Sequence, residues 1–234
     1  MTPRIVYLDR ASIRAELRRP AAAHDWVEYA ASRSAQVVER LAGAQVAISN
    51  KVAIGAEAMA QLPDLKMIAI AATGTNNVDL AAAKARGIVV ANIRGYAVRT
   101  VPEHVLAMIF ALSRNLFAYR ASVAAGEWQR SEQFCLFQHP IRDLAGLTLG
   151  IVGKGSLGQG LGRLAAALGM RVVYAEHRDA TTVRPGFESF ATVLRTADVL
   201  SLHCPLNEQT RHLIGAPELA QMKPGALLIN TARG

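Results

Sequence analysis

Six residues in the middle of the chain, Gly153-Lys154-Gly155-Ser156-Leu157-Gly158, set three glycines at the spacing that lets backbone approach a diphosphate. In that spacing Gly153 permits a tight turn, Gly155 lets peptide N–H groups come close to the anion, and Gly158 lets a helix pack near a sheet. Ser156 and Leu157 open the helix, whose free N–H groups and positive dipole end face the anion. Glu176 follows roughly 20 residues on, where a carboxylate can accept the ribose hydroxyls of an adenosine. That carboxylate favours NAD over NADP by repelling a 2'-phosphate, and Arg178, two residues later, softens the preference. The alternative is a structural turn with a solvated glutamate. A Walker A loop is excluded, since Thr148 stands five before Gly153 and Gly155, not Ser or Thr, follows Lys154.

The elements around this turn arrive in βαβ order. Leu147 to Val152 is an apolar strand, a helical segment runs to Gly169, and Arg171 to Tyr174 is a second strand. Gly160 and Gly162 each cost a helix about 1 kcal/mol against alanine, which points to close contact between helix and sheet. Upstream, residues 1 to about 92 alternate strand-like runs (Ile5–Leu8, Trp26–Tyr29, Val46–Ser49, Met67–Ala71, Ile88–Ala91) with helical patterns. Such alternation predicts a parallel sheet covered on both faces. At the carboxyl edge of that sheet, Ala72 to Asp79 offers the N–H groups and amides of Gly74, Thr75 and Asn76 to a carboxylate. The rival reading is an ordinary turn in which Asn77 caps a helix starting near Val78.

A glycine-containing loop from Arg94 to Thr100 leads to a helix over Val101–Asn115, with Pro102 near its start and Glu103 and His104 beside it. This is the expected crossover between two domains, where clefts form. Gly126 to Asp143 is irregular and carries Trp128, Phe134 and Phe137, apolar side chains that a partner subunit can cover. A helix is expected over Phe187–Thr196, a strand over Asp198–His203, a short helix over Glu218–Met222 and a strand over Ala226–Asn230. Both strands end in polar tips on the ligand edge, which aims Arg233 at a substrate unless it is simply a surface arginine.

Composition narrows the function classes. The 234 residues are 51% hydrophobic and 19% charged, enough for a sizeable core. The net charge of +8 is scattered, with no basic run interleaved with aromatics, so nucleic acid is not expected as a partner. Cys135 and Cys204 stand apart without metal spacing and read as reduced thiols of a cytoplasmic protein, and no metal is expected. The chain enters a strand at Arg4 without a signal pattern, and the apolar helical run Val105–Leu112 is too short for a bilayer, so no membrane partner is expected.

Taken in order, Thr73-Gly74-Thr75-Asn76-Asn77-Val78-Asp79, Thr100-Val101-Pro102-Glu103-His104, the glycine turn, Leu202-His203-Cys204-Pro205-Leu206 and Met222 through Asn230-Thr231-Ala232-Arg233-Gly234 resemble the D-isomer-specific 2-hydroxyacid dehydrogenases. Tyr174-Ala175-Glu176-His177 and Gly126-Glu127-Trp128 are most similar to the glycerate dehydrogenase (hydroxypyruvate reductase) branch. The resemblance implies two Rossmann-like parallel-sheet domains, a flavodoxin-like substrate domain over 1–99 and an incomplete NAD-binding Rossmann domain over 100–234. It implies hydride exchange between NAD(H) and a small 2-hydroxy or 2-oxo acid such as glycerate, hydroxypyruvate or glyoxylate. The N–H groups near Gly74 and Thr75, with Asn76, then hold the substrate carboxylate. Arg233 grips it and polarises the ketone through a planar fork that never loses its charge. Thr100, Val101, Gly153, Gly155, Ser156, Leu157, Gly158, Glu176, His203, Pro205, Thr231 and Ala232 form the cofactor side, and Val101–Gly126 the homodimer contact. The family also carries, downstream of that arginine, a glutamate and a histidine serving as acid and base, and none of the six histidines here lies after Arg233. A fragment of low or no activity is therefore expected, with an apolar strand edge at Ala226–Ile229. His203 is a poor substitute because its motif assigns it to the cofactor. The alternative is a non-catalytic, NAD(H)-responsive binding protein of corepressor type on the same scaffold.

Overall fold

The computed structural model describes residues 2–233, so Gly234, the last residue of the final motif, lies outside the described residues. The chain divides into two compact units, Met1–Tyr96 and Ala97–Gly234.

The first unit contains β1 (Arg4–Tyr7), β2 (Asp25–Glu28), α1 (Val37–Leu41), β3 (Val46–Ser49), α2 (Ala56–Ala60), β4 (Met67–Ile70), α3 (Leu80–Ala85) and β5 (Val89–Asn92). Its sheet has the order β2-β1-β3-β4-β5 with every pairing parallel, the flavodoxin-like arrangement. The helices are short, so packing rather than propensity must hold them. Val37 and Leu41 of α1 and Met59 of α2 are buried with Val6, Ala47, Ile68 and Ile70 of the sheet in one core.

The second unit begins with α4 (Thr100–Ser113), α5 (Leu116–Ala124) and α6 (Glu127–Arg130). It continues with β6 (Thr148–Val152), α7 (Ser156–Ala167), β7 (Arg171–Ala175), α8 (Phe190–Thr196), β8 (Val199–Leu202), α9 (Ala216–Leu219) and β9 (Leu227–Asn230). The parallel sheet has the order β7-β6-β8-β9. All five residues of β6 and all four of β8 are buried, as central strands covered on both faces require. Gly150 in β6 admits α8 against the bare backbone, since a Cβ there would sit 2.6 Å from Val193 Cγ1. No helix of the described residues is long and apolar enough to cross a membrane.

Three expectations shift for visible reasons. The helix expected from Phe187 starts at Phe190, because Glu188 instead pairs with the end of β7, donating to Tyr174 O and accepting from Glu176 N at 2.8 Å each. The helix expected over Glu218–Met222 lies over Ala216–Leu219, because the Glu218 carboxylate accepts from Gly215 N at 2.8 Å and starts it earlier. Asn77 does not cap the next helix. Asp79 does, accepting from Ala82 N at 2.9 Å, while the Asn77 amide donates to Val52 O at 3.1 Å.

Candidate functional site

In the second unit the chain leaves β6 in opposite directions, to β7 on one side and to β8 on the other, which makes a topological switch point at their carboxyl ends. The glycine turn sits there. Gly153 has φ +106°, and a Cβ on it would stand 2.8 Å from the backbone of His203 and Cys204, so only glycine lets the turn meet the end of β8. A Cβ on Gly158 would overlap the carbonyl oxygen of Gly153, so the first turn of α7 is pressed onto the glycine loop itself. Gly155 is the opposite case: its Cβ direction meets nothing within 4 Å, leaving open space over the helix start. Without a side chain it does not cap α7, whose first N–H groups therefore have no partner within the helix.

The helix glycines have different neighbours from one another. A Cβ on Gly162 would overlap the Tyr174 hydroxyl of β7, the expected contact between helix and sheet. Gly160 instead faces Pro102 Cγ at 3.0 Å and Val98 O at 3.1 Å, so it admits the start of α4 rather than the sheet. Thr100 and Val101 are thereby placed on the helix end packed against α7. Val101 joins the core of this unit, and Thr100 is exposed.

Glu176 stands just past β7, as its spacing predicts, but its carboxylate is already engaged. Oε1 accepts from His177 N at 2.9 Å and Arg184 Nη2 at 2.7 Å, and Oε2 accepts from Arg184 Nε at 2.7 Å and Arg184 N at 3.2 Å. The bidentate Arg184 bond, followed by the His177 amide, holds the carboxyl down to about 2 from an ordinary 4.5. Arg184 stacks on the Phe187 ring at 4.4 Å, and Lys154 Nζ lies 4.8 Å from the rings of both Phe187 and Tyr174. Spacing alone does not reveal Arg184, because an irregular loop separates it from its partner.

His203 follows β8, and its Nε2 lies 2.9 Å from Ser201 Oγ; burial pushes its pKa below the ordinary 6.5. The Thr231 hydroxyl oxygen is buried and has no hydrogen-bond partner among the described residues. Pro205, Ala232 and Arg233 line a cavity of about 660 Å³ with Cys204, Leu206 and Asn230, whereas residues 153 to 158 are not among its walls. Cys204 joins the two groups: its backbone meets Gly153 of the turn, and it lines the cavity with Pro205, Ala232 and Arg233. An open cradle over Gly155 and an unpaired buried hydroxyl at Thr231 fit a bound dinucleotide.

In the first unit, Gly74, Thr75 and Asn76 follow β4 at the carboxyl edge of the sheet. The loop is held from outside: the Asn92 amide donates to Thr73 O at 2.7 Å, and Asn77 reaches Val52 O. The Gly74 and Thr75 N–H groups donate no hydrogen bond among the described residues. Nearby, buried Asp9 accepts from Asn50 N at 2.9 Å and Lys51 N at 2.7 Å, fixing the loop after β3, a tie that sequence reading missed.

Residues 106–234 match the model of the D-isomer specific 2-hydroxyacid dehydrogenase, NAD binding domain. The chain is 49% identical to a glycerate dehydrogenase of Methylorubrum extorquens, over 100% of this chain and 74% of that protein. Among solved structures it resembles the TT0316 protein of Thermus thermophilus, with a TM-score of 0.81 and 35% identity, over 99% of this chain and 74% of that one. It also resembles a D-lactate dehydrogenase of Aquifex aeolicus complexed with NAD and lactic acid, with a TM-score of 0.78 and 26% identity, over 99% of this chain and 69% of that one. The glycine turn at its switch point and these relatives agree: the chain belongs to the D-isomer-specific 2-hydroxyacid dehydrogenase family, whose NAD-binding domain it carries.

Proposed function

We propose that the chain binds NAD(H) along its second unit and serves hydride exchange with a small 2-hydroxy or 2-oxo acid of the glycerate, hydroxypyruvate or glyoxylate type. The observation that carries this reading is the bare-backbone turn Gly153–Gly158 at the switch point between β6 and β8. Residues 100–234 act as the NAD-binding domain and residues 1–99 as the substrate-binding domain. The cofactor, when bound, supplies or accepts the hydride.

The chain's own residues bind, orient and polarise. Gly155, Ser156 and Leu157 present N–H groups to the diphosphate, with Gly153 and Gly158 allowing the approach. Thr100, Val101, His203, Pro205, Thr231 and Ala232 line the rest of the cofactor, and Glu176 lies at its adenosine end. The unengaged N–H groups of Gly74 and Thr75, with Asn76, receive the substrate carboxylate. Arg233 donates to the acid and draws electron density from the carbonyl, stabilising charge that develops on its oxygen.

The protein acts as a homodimer in the cytoplasm. What supports the dimer is the apolar surface carried by α5 and the loop after α6, where Phe117 is 74%, Phe134 94% and Phe137 80% exposed. Sedimentation equilibrium is expected to give twice the chain mass, and Phe117→Glu to return it to one.

Calorimetry tests the function. NADH is expected to bind, and hydroxypyruvate or glyoxylate to bind the NADH complex, with Arg233→Ala weakening the acid roughly tenfold to a hundredfold, the range for a hydrogen bond to a charged group. No heat with NADH sinks the reading.

A further inference from the structure

The adenosine end of the cofactor site presents a cation, not a carboxylate, to its surroundings. The Glu176 side chain is 3% exposed and the Arg184 side chain 56% exposed. A carboxylate offers about four acceptor positions, and those of Glu176 are filled by the His177 amide and three Arg184 donors. A ribose 2'-hydroxyl seeking Glu176 must therefore displace one of them. The Arg184 guanidinium, in contrast, spends only its Nε–H and one Nη2–H on Glu176, and its other N–H groups have no acceptor among the described residues. It is steadied by the Phe187 ring at 4.4 Å, and that ring carries Lys154 Nζ at 4.8 Å on a residue of the glycine turn itself. Two cations thus share one aromatic platform between the diphosphate cradle and the end of β7.

From this arrangement we infer that Arg184 is a specificity-determining residue that receives a 2'-phosphate, so that the chain takes NADPH as well as NADH. The inference rests on the reading that residues 153 to 158 hold a dinucleotide. A phosphate on the ribose meets unspent guanidinium donors in the fork geometry that suits it, and the Glu176–Arg184 pair stays intact. A plain ribose gains Glu176 only by breaking part of that pair. The usual effect of an acid at the end of the second strand, rejection of the 2'-phosphate, is cancelled because the acid is buried beneath its own counter-ion.

Calorimetric titration of the chain with NADH, NADPH, 5'-AMP and adenosine 2',5'-bisphosphate tests this. NADPH is expected to bind within about tenfold of NADH, and the bisphosphate more tightly than 5'-AMP. Arg184→Leu is expected to weaken NADPH and the bisphosphate at least tenfold while NADH tightens, since the ribose gains the freed carboxylate. Because that variant leaves Glu176 without its counter-ion, the double variant Glu176→Gln/Arg184→Leu serves as the neutral control and is expected to lose NADPH to the same extent. If NADH binds while NADPH and the bisphosphate do not, the inference falls and the dinucleotide reading stands. A preference for NADPH that survives both variants also overturns it, by removing Arg184 as the receiver. Absence of heat with either dinucleotide takes down the reading and the inference together.

Discussion

Both units place a loop at the carboxyl edge of an all-parallel sheet, yet they hold that loop by different physics. After β6 the chain is shaped by exclusion: Gly153 and Gly158 are set against backbone so closely that no side chain fits. After β4 the loop over 73–79 is shaped by attachment, with Asn92 and Asn77 tying it to neighbouring backbone. The contrast teaches that the sheet supplies the place and the loop its tolerance. A loop fixed by contact with backbone has nowhere to move when a methyl is added. A loop fixed by side-chain hydrogen bonds loses about one bond's worth of order when an amide is removed.

The largest effect should break the exclusion. Gly158→Ala drives a Cβ into the carbonyl oxygen of Gly153, and neither backbone segment can yield without moving α7 off the turn. Destabilisation on the order of 3 kcal/mol and loss of NADH binding are expected, from urea melts and calorimetry. Gly155→Ala sharpens the same point, because its Cβ enters open space at φ −77°. Its melt should fall by no more than about 1 kcal/mol, since alanine is a poorer N-cap than glycine but restricts the unfolded chain, while NADH affinity falls, since the methyl occupies the diphosphate's approach. Equal melting loss in both variants would mean the turn is not shaped by exclusion.

Acid is the next lever, and it acts on the second unit through Glu176. Its carboxyl lies at about 2 in the folded chain against an ordinary 4.5, because the Arg184 fork and then the His177 amide favour the charged form. A depressed carboxyl stabilises the fold fully above its unfolded value. That contribution is lost as pH falls from about 4.5 through about 2. Glu176→Gln should therefore flatten the pH dependence of stability across this window and leave the slope at higher pH unaltered. Urea melts at several acidic pH values check it, and parallel curves for parent and variant would remove the Arg184 clamp from the account.

The same contrast explains what was legible in the sequence. The nine strands of the described residues stand where β-rich runs announce them, with ends moved by a residue or two, because buried parallel strands need contiguous apolar residues. The glycine turn was legible for a related reason: steric exclusion leaves one acceptable residue type, and its spacing can be read directly. The Glu176–Arg184 pair was not, since the partners stand eight positions apart along irregular chain and only the folded loop, pinned by Glu188 to β7, brings them together. The role of Asn77 was hidden likewise. An Asn one or two residues before a helix suits a cap as well as a brace, and Asp79 takes the cap because it alone immediately precedes Leu80.

That brace gives the smaller test on the first unit. Asn77→Ala removes the donors to Val52 O and Ser49 Oγ, the second at 3.5 Å, and should cost about 1 kcal/mol. NADH affinity should be unaffected, and affinity for a 2-oxo acid in the NADH complex should fall, because Gly74 and Thr75 lose their fixed neighbour. A drop in NADH binding instead would erase the division of labour between the two loops.

The smallest effects come from a matched pair of helix caps, one in each unit. Asp79 accepts from Ala82 N at 2.9 Å to start α3, and Ser189 accepts from Thr192 N at 3.2 Å to start α8. Alanine at either position leaves one first-turn N–H unsatisfied and should cost about 1 kcal/mol. The aspartate carries an additional attraction to the helix dipole of about 0.3–1 kcal/mol that the serine lacks. Asp79→Ala should therefore be the costlier change in low salt, and the gap should narrow in high salt as the dipole is screened. Ser189→Ala also removes a side-chain bond to Thr192 Oγ1 at 2.8 Å, but that hydroxyl keeps access to water and contributes little to the difference. Thermal melts of both variants at low and high salt measure the gap, and a gap independent of salt would assign it to packing around α3 rather than to charge.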